Sequence, residues 1–514
     1  MDQKIKELAG SKLMLGVPGT LTDGEVADLF EETHAAGLII FRRNFVGAQK
    51  FKLFLQNLES RLGRRLIVAV DHEGGRVIHL NEGVTFFPDN LTLGQSGRED
   101  WAERQGQIEA AELRRLGIDL NLAPTLDVLT AAYSPNIGIR SYGADPALVA
   151  RLGSARIRGM RSRGLAACAK HFPGQGQSSL DAHLDLPVLE TTLEEFEAIH
   201  KIPFVAAIEA GVDAIMTSHP VYPRLEDGVR QPATFSRRLV HEFLREDLGF
   251  QGLILSDDLE MGALKNFGTV GEAAVRAAGA GHDLILICSD VNAAREAAQH
   301  LQTAIREKKL PVEELEAGAE RLKRFIQARP ERFSSSEAFA EPEGAVLAAK
   351  IAGEGIAKAA AGSMQGTELH FEKGDVPTVI YPDLAPLAER IAMEADMLDL
   401  RSWLSRELQR LGVREADLRR VSLDPDAGEI ENLTKALPNT RKIIYLCFDP
   451  HLYPGSKQLL NRIESAGEAA VIFLRDPYGP GCLSRATPYV RAFGFRKAQM
   501  AAAFRVLFRK TVTV

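Results

Sequence analysis

Residues 170–183 place a basic pair, a Gly/Pro-punctuated loop and an Asp-x-His pair close together: Lys170-His171-Phe172-Pro173-Gly174-Gln175-Gly176-Gln177-Ser178-Ser179-Leu180-Asp181-Ala182-His183. Pro173 fixes φ at the base of this loop, and Gly174 and Gly176 let it turn sharply. An Asp two residues before a His can fold back, hold one ring nitrogen and leave the other as an acid or base near neutral pH. Polar surface loops are common. A Lys-His pair that ends an apolar, strand-like segment, however, sits where barrel enzymes keep their chemistry.

A second element is Gly252-Leu253-Ile254-Leu255-Ser256-Asp257-Asp258-Leu259-Glu260-Met261, an apolar segment that delivers two consecutive acids. Successive residues leaving a strand point in different directions, so one acid faces a pocket. The other caps a helix or orients its neighbour by a hydrogen bond. A carboxylate in such a place can attack an anomeric carbon as a nucleophile.

Eight short apolar runs recur in the first 290 or so residues: Leu13–Gly16, Leu38–Phe41, Leu66–Val70, Ile118–Leu122, Ala166–Ala169, Ala214–Thr217, Leu253–Leu255 and Leu284–Ile287. Amphipathic stretches near a 3.6 period lie between them, including Gly24–Ala36, Glu99–Leu116, Pro146–Arg163, Thr192–Ala210 and Asn292–Lys308. A doubly wound open sheet also alternates in this way, but eight strands favour a (β/α)8 barrel of TIM type. Polar residues then gather at one end of the runs: Asp71 after the third, Asp127 and Arg140 after the fourth, Lys170-His171 ending the fifth. Ser218-His219, Ser256-Asp257-Asp258 and Ser289-Asp290 end the sixth, seventh and eighth. Asp258 and Asp290 also suit helix caps.

The barrel is assigned to residues 1–330. Pro330-Glu331-Arg332-Phe333-Ser334-Ser335-Ser336-Glu337 opens a linker over 331–345. A smaller α/β sandwich domain takes 346–514. It begins with an Ala-rich helix at Gly344–Ala361 and carries strand signals at Thr378–Tyr381, Lys442–Cys447 and Ala470–Leu474. Helical segments at 383–395, 402–412, 456–467 and 496–509 alternate with them. No phosphate loop and no GxGxxG lies between a strand and a helix in this domain, so no nucleotide cofactor is expected.

A length of 514 residues calls for more than one core. The hydrophobic share of 45%, charged share of 25% and net charge of −7 describe an ordinary globular chain and argue against nucleic-acid or anionic-membrane partners. The pair Arg419-Arg420 stands among Glu415, Asp417 and Asp424 and reads as a solvated face. No run reaches the roughly 20 apolar residues of a membrane span. The start, Met1-Asp2-Gln3-Lys4-Ile5-Lys6-Glu7, lacks the apolar core of a secretory signal. Cys168, Cys288, Cys447 and Cys482 show no CxxC spacing and read as free thiols. A cytoplasmic location is expected, with a processed periplasmic form as the alternative. No metal is expected, since no HExxH or comparable spacing occurs.

The Lys-His-Phe-Pro-Gly-x-Gly-x4-Asp-x-His loop and the Ser-Asp-Asp-Leu-x-Met strand end resemble the bacterial β-N-acetylglucosaminidases of glycoside hydrolase family 3. So do Val70-Asp71-His72-Glu73-Gly74-Gly75-Arg76-Val77, Leu122-Ala123-Pro124-Thr125-Leu126-Asp127-Val128 and Gly138-Ile139-Arg140-Ser141-Tyr142-Gly143. The likeness runs in order through about the first 330 residues, and the second domain is more weakly similar to the sandwich of two-domain members. It implies an exo-acting, retaining β-N-acetylglucosaminidase (β-N-acetylhexosaminidase) that removes terminal β-linked N-acetylglucosamine, from cell-wall muropeptide fragments. Asp257 matches the nucleophile, His183 the acid/base and Asp181 its dyad partner. Asp71, Arg140, Lys170 and His171 match residues that grip sugar hydroxyls, and His219 lies in the same pocket. Glu73 is read as support for the barrel mouth.

Some positions depart from the family pattern. Gln175 stands where His is usual, Ala182 replaces Ser, His72 replaces Gln, and His79 replaces a substrate-contacting Arg. His79 retains one hydrogen bond to offer but no bidentate fork. Two other functions stay open at this stage: a sugar phosphorylase, with which a His acid/base is compatible, and a non-catalytic sugar-binding barrel. The second domain is expected to furnish no catalytic group. Oligomeric state is not legible.

Overall fold

The computed structural model describes residues 2–178, 186–332, 340–361, 376–437 and 442–508. Eight parallel strands close into a barrel: β1 (Leu13–Leu15), β2 (Gly37–Ile40), β3 (Ile67–Val70), β4 (Leu120–Asn121), β5 (Ala166–Phe172), β6 (Ala214–Thr217), β7 (Leu253–Asp258) and β8 (Leu284–Ile287). Each pairs with its sequence neighbours, and β1 closes the ring on β8 with Leu13 opposite Ile285. All eight apolar runs of the sequence are strands, and the helices Asp23–Thr33, Glu99–Arg115, Pro146–Ser162 and Val291–Arg306 lie where the 3.6 period places them.

Side chains alternate along each strand, so every second residue enters the barrel. Ile67 and Ala69, Ala166 and Cys168, Leu253 and Leu255, and Leu284 and Leu286 belong to one interior cluster. Continuing that alternation by one step brings Asp71, Lys170 and Asp257 to the interior face at the C-terminal mouth. A barrel packed with apolar layers below thus ends in a polar layer on top, which is where this architecture builds its sites.

The second domain holds a five-stranded parallel sheet: β9 (Thr378–Pro382), β10 (Asp417–Val421), β11 (Ile443–Phe448), β12 (Ala469–Leu474) and β13 (Tyr489–Arg491), in the order β10-β9-β11-β12-β13. Strand β10 contains Arg419 and Arg420, so the solvated face read from the sequence belongs to an edge strand, with Arg420 exposed and Arg419 half-buried. The helix expected over 383–395 does not form. A 3-10 turn (Ala385–Glu389) and a short helix (Ala395–Leu398) replace it, because the backbone between them is used elsewhere. Ala392 donates its N–H to the Ile78 carbonyl at 2.8 Å and accepts from Arg496 Nη1 at 2.7 Å.

The helix Pro342–Ala361 joins the two cores: Leu347, Ala348 and Ile351 pack on the barrel side, Ala352, Ile356 and Ala359 on the sheet side. Arg496, fully buried, adds an Nε–H bond to the Gly75 carbonyl at 2.6 Å. No described helix is long and apolar enough to cross a membrane.

Candidate active site

The mouth of the barrel is organised around Glu73, a buried carboxylate in the short hairpin that follows β3 (His72–Gly74 with Val77–Ile78). Arg140 forks onto it, Nε–H at 2.8 Å and Nη2–H at 2.7 Å. Lys170 Nζ lies 2.6 Å from the same carboxylate and 2.5 Å from Asp71 Oδ1. Thr125 Oγ1 donates to Glu73 at 3.2 Å. Burial opposes ionisation of Glu73, yet Arg140 and Lys170 hold its carboxyl well below the ordinary value. Burial likewise opposes the charge on Lys170, and Asp71 and Glu73 more than restore it. Two cations and two anions thus form a charge-balanced floor. Among the described residues, Lys170 has a third N–H and Asp71 an Oδ2 left to offer a ligand.

His171 follows Lys170 at the end of β5. Its Nδ1–H donates to Asp127 Oδ2 at 2.7 Å, and Nε2 lies 3.3 Å from Arg140 Nη2. The second oxygen of Asp127 accepts the Gln175 N–H at 2.7 Å. The glycine that follows has a steric reason: a Cβ on Gly176 would meet the Val128 carbonyl oxygen at 1.9 Å. One carboxylate therefore holds both the His171 ring and the turn at Gln175. The sequence places Asp127 near the mouth, but its distance along the chain from β5 leaves no spacing that ties it to His171.

Asp257 and Asp258 close β7. The Asp258 N–H donates to Asp257 Oδ1 at 2.9 Å, and Asp258 Oδ1 accepts the Glu260 N–H at 3.1 Å. Burial would raise the Asp257 carboxyl, but the His219 and His171 rings, the Asp258 N–H and Lys170 outweigh it and hold it below its ordinary value. Asp258 is the opposite case: burial first, then the Glu260 charge, push it up to about 7. The two adjacent acids are thus chemically distinct, one an ionised carboxylate in the polar layer, the other a local hydrogen-bond acceptor.

His219, at the end of β6, donates Nε2–H to the Asp258 carbonyl at 2.9 Å, while Nδ1 lies 2.6 Å from Thr234 Oγ1. It braces the strand exit that carries Asp257. His79 stands edge-on to Phe41 at 5.3 Å, and among the described residues its buried Nδ1 has no hydrogen-bond partner. Burial lowers its pKa, with Asp71 acting in the opposite direction. Asp181 and His183 lie outside the described residues.

The sequence profile of the glycosyl hydrolase family 3 N-terminal domain matches residues 1–325. The chain belongs to glycosyl hydrolase family 3. It is 37% identical over 284 residues to a beta-hexosaminidase of Idiomarina loihiensis, covering 54% of this chain and 84% of the relative. Among solved structures it resembles a family 3 beta-N-acetylglucosaminidase from Paenibacillus sp. str. FPU-7, with TM-score 0.89 and 29% identity over 99% of this chain and 97% of that one. It also resembles NagZ from Neisseria gonorrhoeae, solved in complex with N-trifluoroacetyl-D-glucosamine, with TM-score 0.55, 32% identity, and coverage of 67% and 98%. Membership of the family makes the chain a glycosidase.

Among the described residues, one group has a donor set for a divalent cation: Asp449, His451 and Asp476, at the ends of β11 and β12, with ligand atoms within 4.8 Å of one another. Arg475 pairs with Asp449 and lies 3.7 Å from Asp476, and Arg76 of the barrel lies 3.6 Å from Asp476. Two guanidinium groups already balance the two carboxylates, so a further cation there meets like charge. The group is an inter-domain ion network. The groups that most perturb Asp257, namely His219, His171, the Asp258 N–H and Lys170, all lie in the barrel.

Proposed function

We propose that the protein is an exo-acting, retaining β-N-acetylglucosaminidase, and that its substrates are cytoplasmic cell-wall muropeptide fragments with a terminal β-linked N-acetylglucosamine. The observation that carries this is the carboxylate of Asp257, which ends the interior alternation of β7 and is held ionised within a polar layer fit for a sugar. The likeness to enzymes named for N-acetylhexosamine substrates supports the choice of sugar.

In the first step the Asp257 carboxylate attacks C1 and the C1–oxygen bond to the leaving group breaks. The departing oxygen takes a proton from His183, whose charged form Asp181 stabilises. In the second step water attacks C1, His183 takes the proton back, and Asp257 leaves with the bonding pair. Two inversions retain the β configuration. Asp71, Lys170, Arg140 and His171 grip the hydroxyls, His79 adds one hydrogen bond, and His219 holds the strand end in place.

The test compares an aryl β-N-acetylglucosaminide with the matching β-glucoside. A large preference for the acetamido sugar is expected, and comparable rates would sink the assignment. The same reactions run in phosphate buffer should release free sugar; accumulation of sugar 1-phosphate would make the protein a phosphorylase. Absence of turnover on both would leave a binding module.

A further inference from the structure

Arg140 enters the pocket from the segment 133–140, which has little regular structure of its own beyond one 3-10 turn (Gly138–Arg140). Part of what fixes this segment comes from the second domain. Tyr478 accepts the Ser134 N–H at 2.9 Å and lies 3.2 Å from the Ser134 carbonyl, to which its hydroxyl donates. Its ring meets Tyr133 edge-on at 4.9 Å. Arg76 bridges the remainder: Nη2 donates to the carbonyls of Asn136 at 2.5 Å and Pro135 at 3.1 Å, while Nη1 faces the buried Asp476 at 3.6 Å. The Asn136 carbonyl also accepts Arg140 Nη1–H at 3.2 Å. A continuous chain thus runs from Asp476, through Arg76 and Asn136, to the guanidinium that forks onto Glu73.

We propose that Tyr478 and Asp476 are positioning residues: the second domain sets the affinity for the sugar by clamping segment 133–138, and so Arg140, against the barrel mouth. Arg140 has N–H groups on Nη1 and Nη2 that point a rigid fork, so a small rotation of its backbone misaims all of them at once. Neither second-domain residue touches the reacting carbon. Their effect passes through Arg140 alone, and substrate binding carries it rather than the bond-breaking step. The sugar-gripping role of Arg140 rests on the proposed function; the clamp itself does not.

Two measurements on the full chain separate these. Hydrogen exchange followed by mass spectrometry reads the clamp without substrate. Tyr478→Phe, which removes only a hydroxyl, and Asp476→Asn should speed exchange in peptides covering 133–140 while protection of β3 and β7 stays as in the parent. Unchanged protection of that segment overturns the clamp. Kinetics on the aryl β-N-acetylglucosaminide read its consequence. Each variant should raise KM by about tenfold with kcat within about twofold, and neither should raise KM further in an Arg140→Ala background. The same fold increase in both backgrounds, or a fall in kcat at unchanged KM, overturns positioning through Arg140. If Asp476→Asn fails to fold, Tyr478→Phe decides alone. Loss of all activity on this sugar in the parent, with the exchange result intact, strikes the proposed substrate and leaves the clamp standing.

Discussion

Asp127 receives the Nδ1–H of His171 at 2.7 Å, and this bond orients the ring against the guanidinium of Arg140. Because a carboxylate only accepts, it sets which ring nitrogen carries the proton on that side. Asp127→Asn keeps the shape but can turn a donor toward Nδ1, driving the proton to Nε2, where it would face the donors of Arg140. The substitution should lower kcat/KM on an aryl β-N-acetylglucosaminide by about 10–100-fold, the worth of a charge-assisted hydrogen bond. The unfolding midpoint should move little. Kinetics at the parent level would show that His171 orientation does not depend on Asp127.

The two acids at the end of β7 should separate cleanly. Asp257→Ala is expected to remove nearly all turnover, a loss on the order of 10³-fold or more, because the proposed mechanism gives the bond to C1 to this carboxylate. Asp258→Ala should retain far more, since what it loses is local: an acceptor for the Glu260 N–H and a contact with Cys288. Steady-state rates for both variants decide this, and an indispensable Asp258 would move the nucleophile by one residue.

Asp258 also gives a pH signature in stability. Its carboxyl is raised from 3.8 to about 7 by burial and by Glu260, so between those values the folded protein binds a proton that the unfolded chain has released. Stability from this group therefore falls as pH rises through that window and is level above it. Asp258→Asn removes the loss while keeping an oxygen for the Glu260 N–H. The variant should gain on the order of 1–4 kcal/mol over the parent at pH 8 and close to nothing at pH 4. Thermal unfolding at the two pH values measures this, and an equal difference at both would contradict it.

The barrel is legible because eight short, mostly apolar runs alternate with amphipathic stretches, and the positions of Lys170 and Asp257 follow from them. The sheet of the second domain was less so. Strand β10 has charged Arg419 and Arg420 beside its apolar residues, since it is an edge whose side chains pair with Asp417 and Asp383. Its acids and bases looked like a solvated surface. The failed helix at 383–395 has an amphipathic pattern, but the partners of Ala392 are Ile78 and Arg496, far away in sequence. Local pattern carries no record of such contacts. The roles of Asp127, Tyr478 and Arg496 are not legible for the same reason: each acts on a residue brought near only by the closed fold.

His183→Ala tests the acid/base assignment by leaving group. A substrate whose leaving group needs little protonation should still undergo the first step, with breakdown of the intermediate becoming limiting. A small anionic nucleophile such as azide should then speed turnover and yield the β-glycosyl azide. Equal losses for good and poor leaving groups, without such rescue, would assign the proton transfer elsewhere.

In the proposed mechanism, Asp257 bonds covalently to the sugar. Incubation with a 5-fluoro-N-acetylglucosaminyl fluoride, which slows breakdown of a glycosyl-enzyme, followed by proteolysis and mass spectrometry of the peptide containing Gly252–Met261, tests it directly. A single sugar adduct located on Asp257 and absent from Asp257→Ala is expected. An adduct on Asp258, or turnover that releases the inverted α-anomer with no adduct at all, would contradict it.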